Sequence, residues 1–285
     1  MQYRYITPES IHQFIDNALL EDVGDGDHTS LASIPASTQG KAQLILKDDG
    51  ILAGIEIATY IFERVDASLK LVVNMKDGDA FKHGQIALTV SGSVHSILIA
   101  ERLVLNTMQR MSGIASYTHS LQSLIAHTKA KVLDTRKTTP NFRMLEKWAV
   151  LIGGGLNHRY GLFDMILLKD NHVDYSGGIK QALKNCKAYL TESKRDLKIE
   201  IETRTISEVK EAINEGGAFR IMLDNMSPAL MKEAVQLIGN TAETEASGGI
   251  NEKTIVAVAE SGVDYISIGS LSHSYTSKDM SLKAF

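Results

Sequence analysis

Between Lys131 and His172 the chain reads KVLDTRKTTPNFRMLEKWAVLIGGGLNHRYGLFDMILLKDNH, and no other stretch restricts the fold as strongly. The apolar run Val132–Leu133 breaks into Asp134, Thr135, Arg136 and Lys137; the run Met165–Leu168 breaks into Lys169, Asp170, Asn171 and His172. Between them, Thr139–Pro140 reads as the N-cap and first-turn proline of a helix with Phe142, Leu145, Trp148 and Ala149 on one face. Gly153, Gly154 and Gly155 stop that helix, because glycine tolerates the loop geometry cheaply. Asn157, His158 and Arg159 follow. The pattern is strand, basic loop, helix, basic loop, strand, basic loop. A right-handed βαβ unit brings Arg136, Lys137 and Lys169 to one edge of a parallel sheet. Cations gathered there are costly unless an anion compensates them. The stretch outlines an anion-binding active site.

The remaining composition limits what that anion can be. With 285 residues, 44% hydrophobic and 22% charged, the chain is an ordinary globular protein of one large or two smaller domains. A net charge of −4 supplies no global basic field, which argues against nucleic acid as a partner. The basic residues near Arg136 are therefore local. The single cysteine, Cys186, excludes an internal disulfide and fits a reducing cytoplasm; on a helix it reads as a small inert hydrophobe. The opening MQYRYITPES has no apolar core of a signal peptide, and Glu101 and Arg102 interrupt the run Ser96–Leu105. A cytoplasmic protein without membrane spans is expected.

In the first half, Thr7–Pro8 caps a helix whose stripe is Ile11, Phe14, Ile15, Ala18 and Leu19. The acidic run Glu21–Asp27 reads as a solvated loop, since it lacks the later glutamate of a calcium loop. From Lys41 to about Val94 the period becomes two: Ala42, Leu44, Leu46; Leu69, Leu71, Val73; Ile86, Leu88, Val90. This predicts a small antiparallel layer. Ser96 is expected to cap a helix running to about Met111, with Gly113 breaking it from a second helix, Ile114–His127. Arg102 lies on the first of these and by position alone reads as a surface arginine.

In the second half, apolar runs end repeatedly in polar or glycine residues. Leu133 runs into Asp134, Leu168 into Lys169, and Ile201 into Glu202. Leu223 runs into Asp224, Ala246 into Ser247, Gly248 and Gly249, and Ile268 into Gly269 and Ser270. Helical stretches separate them. Six βα units, two short of the usual eight, describe an incomplete (β/α) barrel, whose functional residues sit where strands end. The two late glycine loops occupy the place where barrels hold phosphate on backbone N–H groups. Cations early, Glu202 and Asp224 in the middle and glycines late suit carboxylates with a diphosphate, a divalent metal or sugar hydroxyls, and a terminal phosphate. His158 in its loop reads most simply as a loop-fixing hydrogen bonder. His172 and His273 have no partner at metal-ligand spacing. A Schiff-base lyase using Lys169 and a non-catalytic anion-binding module remain alternatives.

These residues resemble the quinolinate phosphoribosyltransferase family, also called nicotinate-nucleotide pyrophosphorylase (carboxylating), along nearly the whole chain. The similarity runs through Glu21-Asp22, Gly26-Asp27, Leu52-Ala53-Gly54, Lys76-Asp77-Gly78-Asp79, Ala100-Glu101-Arg102 and Ser112-Gly113-Ile114-Ala115. Its most specific parts are Asp134–Pro140, Gly153-Gly154-Gly155 with Asn157-His158-Arg159, and Lys169–His172. Leu223-Asp224-Asn225, Glu245–Gly249 and the Gly269 loop complete it. One departure is Asn141-Phe142, where the family usually has glycine and leucine.

The resemblance implies an N-terminal α/β-sandwich domain over residues 1–112 and a catalytic incomplete barrel over 113–271. A tail from about 272 to 285 would pack on the former. It implies a cytoplasmic, Mg²⁺-dependent glycosyltransferase of NAD biosynthesis that joins quinolinate to phosphoribosyl pyrophosphate. It further implies a homodimer with shared active sites, in which Arg102 reaches the partner's site. Arg102, Arg136, His158, Arg159 and Lys169 would bind the pyridine dicarboxylate, and Thr135 would also contact substrate. Lys137, Lys169, Glu202 and Asp224 would meet diphosphate, metal and ribose, with Glu202 and Asp224 as the metal ligands. Ser247, Gly248, Gly249, Gly269 and Ser270 would hold the 5′-phosphate. The alternative within the same scaffold is the paralogue of molybdenum-transport operons, with a different ligand.

Overall fold

A computed structural model describes residues 5–285, so the first four residues of the N-terminal reading lie outside the described residues. Along the chain run α1 (Pro8–Val23), α2 (His28–Ser33), β1 (Gln39–Leu46), β2 (Gly50–Ile51), α3 (Ile55–Val65), β3 (Lys70–Val73), β4 (Ala80–Phe81), β5 (Ile86–Ser93) and α4 (Val94–Leu124). Then come β6 (Lys131–Leu133), α5 (Arg143–Ile152), β7 (Ile166–Leu168), α6 (Asp170–Ser176), α7 (Ile179–Ser193), β8 (Ile199–Thr203), α8 (Ile206–Glu215) and β9 (Arg220–Asp224). The chain ends with α9 (Pro228–Ile238), β10 (Glu243–Ser247), α10 (Ile255–Ala259), β11 (Tyr265–Ser267), α11 (Ser270–His273) and β12 (Met280–Ala284). Among the described residues no helix is long and apolar enough to cross a membrane.

The chain forms two compact units. One comprises Met1–His119, Thr138–Gly154 and Leu271–Phe285; the other comprises Ser120–Lys137 and Gly155–Ser270. This division differs from a cut at residue 112, because α5 and its leading loop pack with the first unit. Buried ion pairing accounts for part of that. Glu146 of α5, 1% exposed, accepts from Arg110 Nε of α4 at 3.0 Å.

The first unit carries a four-stranded antiparallel sheet in the order β12-β1-β5-β3. Period-two alternation turns Ala42, Leu44 and Leu46 of β1 inward, and Leu44 stands between Leu88 of β5 and Leu282 of β12. The tail therefore closes one edge of this layer. On the opposite edge Val73 is 47% exposed, so the expected inward set of β3 is not fully covered. Thr7 caps α1 as the sequence predicts, accepting from Ser10 N, and the structure adds the return bond from Thr7 N to Ser10 Oγ.

Three local expectations are corrected. Glu21–Asp27 is not one solvated loop: α1 continues to Val23, and Asp27 caps α2 by accepting from Ser30 N at 3.2 Å. Ser96 and Gly113 do not delimit helices, because α4 runs unbroken from Val94 to Leu124. Ser96 instead donates to Asp66 at 2.7 Å. Gly113 is there for room: a Cβ would strike the Thr276 carbonyl and lie 2.9 Å from Tyr275 Cδ2. Thr139–Pro140 does not open α5, which starts at Arg143 after Asn141, a residue in the left-handed region at φ 62°. Asparagine tolerates that conformation better than most non-glycine residues, which explains why it can stand where the family usually has glycine.

The second unit carries six parallel strands in the order β6-β11-β10-β9-β8-β7. The end strands β6 and β7 do not pair with each other, so the barrel is incomplete, as expected. Register places Arg220 between Glu200 and Glu243, and Asp224 beside Ser247. With a period of two, Glu200 and Glu202 share one face of β8, while Ile199 and Ile201 occupy the other. One face of the sheet therefore carries a polar layer that ends at the strand C-termini.

Replacing Gly113 with alanine separates propensity from packing. Helix propensity alone would favour alanine by about 1 kcal/mol. Overpacking against Tyr275 and Thr276 outweighs it, so Gly113→Ala should destabilise by about 1–3 kcal/mol. Chemical denaturation showing equal or higher stability would refute this.

Candidate active site

The site is built on the brace beneath its cations. Asp134, at the end of β6 and 1% exposed, accepts from Asn157 Nδ2 at 2.6 Å and from His158 N at 2.8 Å. Leu156 N donates to Val132 O at 2.8 Å, and Asp134 N donates back to Leu156 O. The two basic loops are thus tied side by side. Thr135 Oγ1 accepts from Lys137 N at 3.0 Å and shapes the turn. Arg136 is half-buried, and its buried Nε has no aligned hydrogen bond. Arg159 donates to Met165 O at 3.1 Å. Burial, then the nearby Arg136 charge, push its pKa below the usual arginine range. Lys137 and Lys169 are exposed at their strand ends, and Lys169 N donates to His172 Nδ1 at 3.1 Å.

The middle strands supply the carboxylates. Burial pushes the Glu202 carboxyl up, and the like charges of Asp224 and Asp170 push it further, while Lys169 opposes them. Asp224 accepts from Asn225 Nδ2 at 2.6 Å. Asn225, at φ 54°, also donates its backbone N–H to Ser247 O at 2.9 Å. Gly248 is required by this approach, since a Cβ there would collide with the Asn225 amide and φ is +102°. The Ser247–Gly249 loop is therefore held close to Asp224. The last loop, Gly269–Ser270, leads directly into α11.

Beneath the cations lies a charged layer that the sequence reading did not single out. Glu200 and Glu245 are 0% exposed and Arg220 is 8% exposed. Arg220 Nη1 donates to Glu245 at 2.8 Å and Nη2 to Glu243 at 2.8 Å. Burial pushes both Glu200 and Glu245 up to about 7, against the lowering effect of Arg220 on each. His158 turns toward this layer, with Nε2 2.9 Å from Glu200 Oε2 and 3.5 Å from Glu245 Oε2. Its Nδ1 accepts from Arg159 N at 2.7 Å. The donor atoms of His158, Glu200 and Glu245 lie within 4.8 Å of one another, a spacing a metal could span. Arg220 already supplies the cation there, however, and with Nδ1 used as an acceptor the ring proton sits on Nε2. The available signal was charge inside apolar strands, at Ile199-Glu200-Ile201 and Thr244-Glu245-Ala246.

Thr135, Arg136, Lys137, His158, Arg159, Lys169, Glu202, Asp224, Ser247, Gly248, Gly249, Gly269 and Ser270 thus all belong to the second unit, at or just beyond its strand C-termini. The His158 ring is the one that turns inward. Arg102 belongs to the first unit. It lies exposed on α4 and lines a groove of about 400 Å³ with Phe14, Glu21 and Asp22 of α1 and the loop Pro140–Phe142.

Cationic, acidic and glycine-rich loops in succession over an incomplete barrel define an enzyme-like site for a multiply anionic substrate. Residues 27–112 match the family model for the N-terminal domain of quinolinate phosphoribosyl transferase, and residues 114–283 match that for its C-terminal domain. A quinolinate phosphoribosyltransferase (decarboxylating) of Nicotiana tabacum is 47% identical over 284 residues, covering 94% of this chain and 81% of the relative. The chloroplastic nicotinate-nucleotide pyrophosphorylase (carboxylating) of Arabidopsis thaliana is 46% identical over 93% of this chain and 80% of its own. The crystal structure of NadC from Streptococcus pyogenes superposes with a TM-score of 0.92 at 38% identity, covering 98% of this chain and 99% of that one. The chain belongs to the quinolinate phosphoribosyltransferase family.

The buried layer should mark the pH dependence of stability. Glu200 and Glu245 are raised above their unfolded values, so the folded state holds more protons between about 4.5 and about 7. Their contribution is full below about 4.5 and is lost as pH rises toward 7. Glu200→Gln removes one titrating group and the repulsion on the other. Denaturation across this range should show a shallower fall in the variant, and identical slopes would contradict the assignment.

Proposed function

We propose that the protein condenses quinolinate with phosphoribosyl pyrophosphate, releasing pyrophosphate and CO₂ and forming nicotinate mononucleotide for NAD biosynthesis. The observation that carries this reading is the half-buried pair Arg136 and Arg159, fixed side by side through the Asp134 brace. Two neighbouring cations suit the two adjacent carboxylates of a pyridine dicarboxylate. Lys169 and Thr135 stand at the same strand ends, and His158 supports Arg159 from below. Lys137 and Lys169 are assigned to the diphosphate, and Ser247, Gly248, Gly249, Gly269 and Ser270 to the 5′-phosphate.

Glu202 and Asp224 suit Mg²⁺, because both offer hard carboxylate oxygens and their mutual repulsion calls for a cation. When bound, the ion would help to neutralise charge on the departing pyrophosphate. The protein's own contribution is largely positional. Lys137 and Lys169 hold the diphosphate as its bond to the anomeric carbon breaks. Glu202 and Asp224 face the oxocarbenium-like ribose, and the arginines direct the pyridine nitrogen to it. Once that nitrogen is quaternary, the electrons of the adjacent C–CO₂ bond stay on the ring carbon as CO₂ departs, and that carbanion, stabilised by the neighbouring cationic nitrogen, takes a proton from water to give the product.

The exposed Arg102, in its groove, is assigned to the site of a partner subunit in a homodimer. A cytoplasmic location accords with the single cysteine.

Three measurements test this reading. Quinolinate-dependent release of CO₂ in the presence of phosphoribosyl pyrophosphate and Mg²⁺ is expected, and its absence from folded protein would overturn the activity. Nicotinate, lacking one carboxylate, leaves a cation unpaired and should turn over far more slowly; comparable rates would refute the two-cation assignment. Arg102→Ala and Lys169→Ala should each be nearly inactive, at a cost on the order of 2–5 kcal/mol. Verified heterodimers of the two should recover about one intact site in two. Heterodimers as inactive as their parents would contradict site sharing.

A further inference from the structure

We propose that Asp164 is a positioning residue for the dicarboxylate site: its carboxylate ties the chain just after Arg159 to the start of β7, where the Met165 carbonyl holds the Arg159 guanidinium. This inference rests on the quinolinate reading of the pocket, which assigns Arg159 to a substrate carboxylate.

The segment between Arg159 and β7 contains no helix or strand, so no regular backbone pattern sets its path. Asp164 supplies a restraint. Its Oδ2 accepts from Tyr160 N at 2.8 Å and its Oδ1 from Gly161 N at 2.8 Å. Two consecutive N–H groups on one carboxylate bring residue 164 back beside residues 160 and 161, directly after Arg159. The far end of the loop is anchored independently, because Ile166 N donates to Lys198 O at 3.0 Å and β7 pairs with β8. Met165 lies between that anchor and Asp164, and its carbonyl accepts from Arg159 Nη1 at 3.1 Å. The arginine is therefore gripped by the far end of the loop that it opens. Its backbone is held separately, donating to His158 Nδ1 at 2.7 Å. The tip of the loop adds little by burial, since Leu162 and Phe163 are 71% and 61% exposed. Asp164 also opposes the burial and the Arg136 charge that disfavour the Arg159 cation. A carboxylate would repel a dicarboxylate ligand, and both Asp164 oxygens are committed to the main chain. It acts through Arg159, not on substrate.

Asp164→Ala removes both acceptors and the charge, and should raise the KM for quinolinate by about tenfold or more. KM for phosphoribosyl pyrophosphate should change less than about twofold. Asp164→Asn keeps the size and one acceptor oxygen, and its KM for quinolinate should fall between those of the unaltered and alanine proteins. It carries the same test should the alanine variant fail to fold. Calorimetry without the second substrate should show each variant losing much of the preference for quinolinate over nicotinate, because Arg159 helps to read the extra carboxylate. A merely structural role would lower stability without separating the two KM values or moving that preference. Amide hydrogen exchange gives an arm independent of substrate: Tyr160 and Gly161 should exchange markedly faster in either variant, with the amides of β8 and β9 unchanged. Equal rises in both KM values, an unchanged preference for quinolinate, or Tyr160 and Gly161 amides indifferent to the carboxylate would each overturn the proposal. Failure of the quinolinate reading would show instead as no binding or turnover of quinolinate by unaltered protein, with the exchange difference still present.

Discussion

The site depends on the pairing of buried carboxylates with cations in the second unit. Arg136 stands close enough to disfavour the charge of Arg159, and both are half-buried. Such a pair is tolerable only with negative charge nearby or with a ligand that supplies it. Glu200 provides part of that charge from beneath and Asp164 another part. Arg220 in turn keeps Glu200 and Glu245 from repelling one another without compensation. The alternation of signs through the layer leaves room for anionic substrate at the strand ends.

Backbone geometry converts this electrostatic arrangement into a defined shape. Asp134 commits both oxygens to the Asn157–His158 loop, so the loops bearing Arg136 and Arg159 cannot drift apart without breaking two part-buried hydrogen bonds. On the neighbouring strands, Asn225 binds Asp224 through its side chain and Ser247 through its backbone, and Gly248 lets those loops touch. Here the acidic group and the phosphate-type loop are joined by a single residue in the left-handed conformation. The result is a site whose parts come from distant points in the chain yet are mutually fixed.

Much of this was legible in the residues. Strand ends were readable because apolar runs give way abruptly to Lys169, Glu202, Asp224 and Gly248, and parallel strands carry no ambiguity about which end bears the loops. What escaped were features decided by tertiary approach. Gly113 resembles a helix breaker, but its lack of a side chain serves Thr276 on a segment more than 150 residues away. Thr139–Pro140 has the composition of a helix start, but Glu146 accepts from Thr139 N at 3.1 Å and holds it in a turn before the helix. Glu200, between Ile199 and Ile201, resembles a solvent-facing strand position, as does Glu245, and only the three-dimensional arrangement of the strands buries them. For Asn141, substitution relative to the family was visible, and the φ of 62° explains its tolerance.

The central claim is that a dicarboxylate is read by the Arg136–Arg159 pair resting on the buried acidic layer. A crystal structure with quinolinate bound tests it most directly. The account predicts that the two ring carboxylates meet these two arginines, with the His158–Glu200 contact retained below them. Quinolinate seated away from both arginines, or a His158 ring swung out of the layer to bind it, would contradict the account.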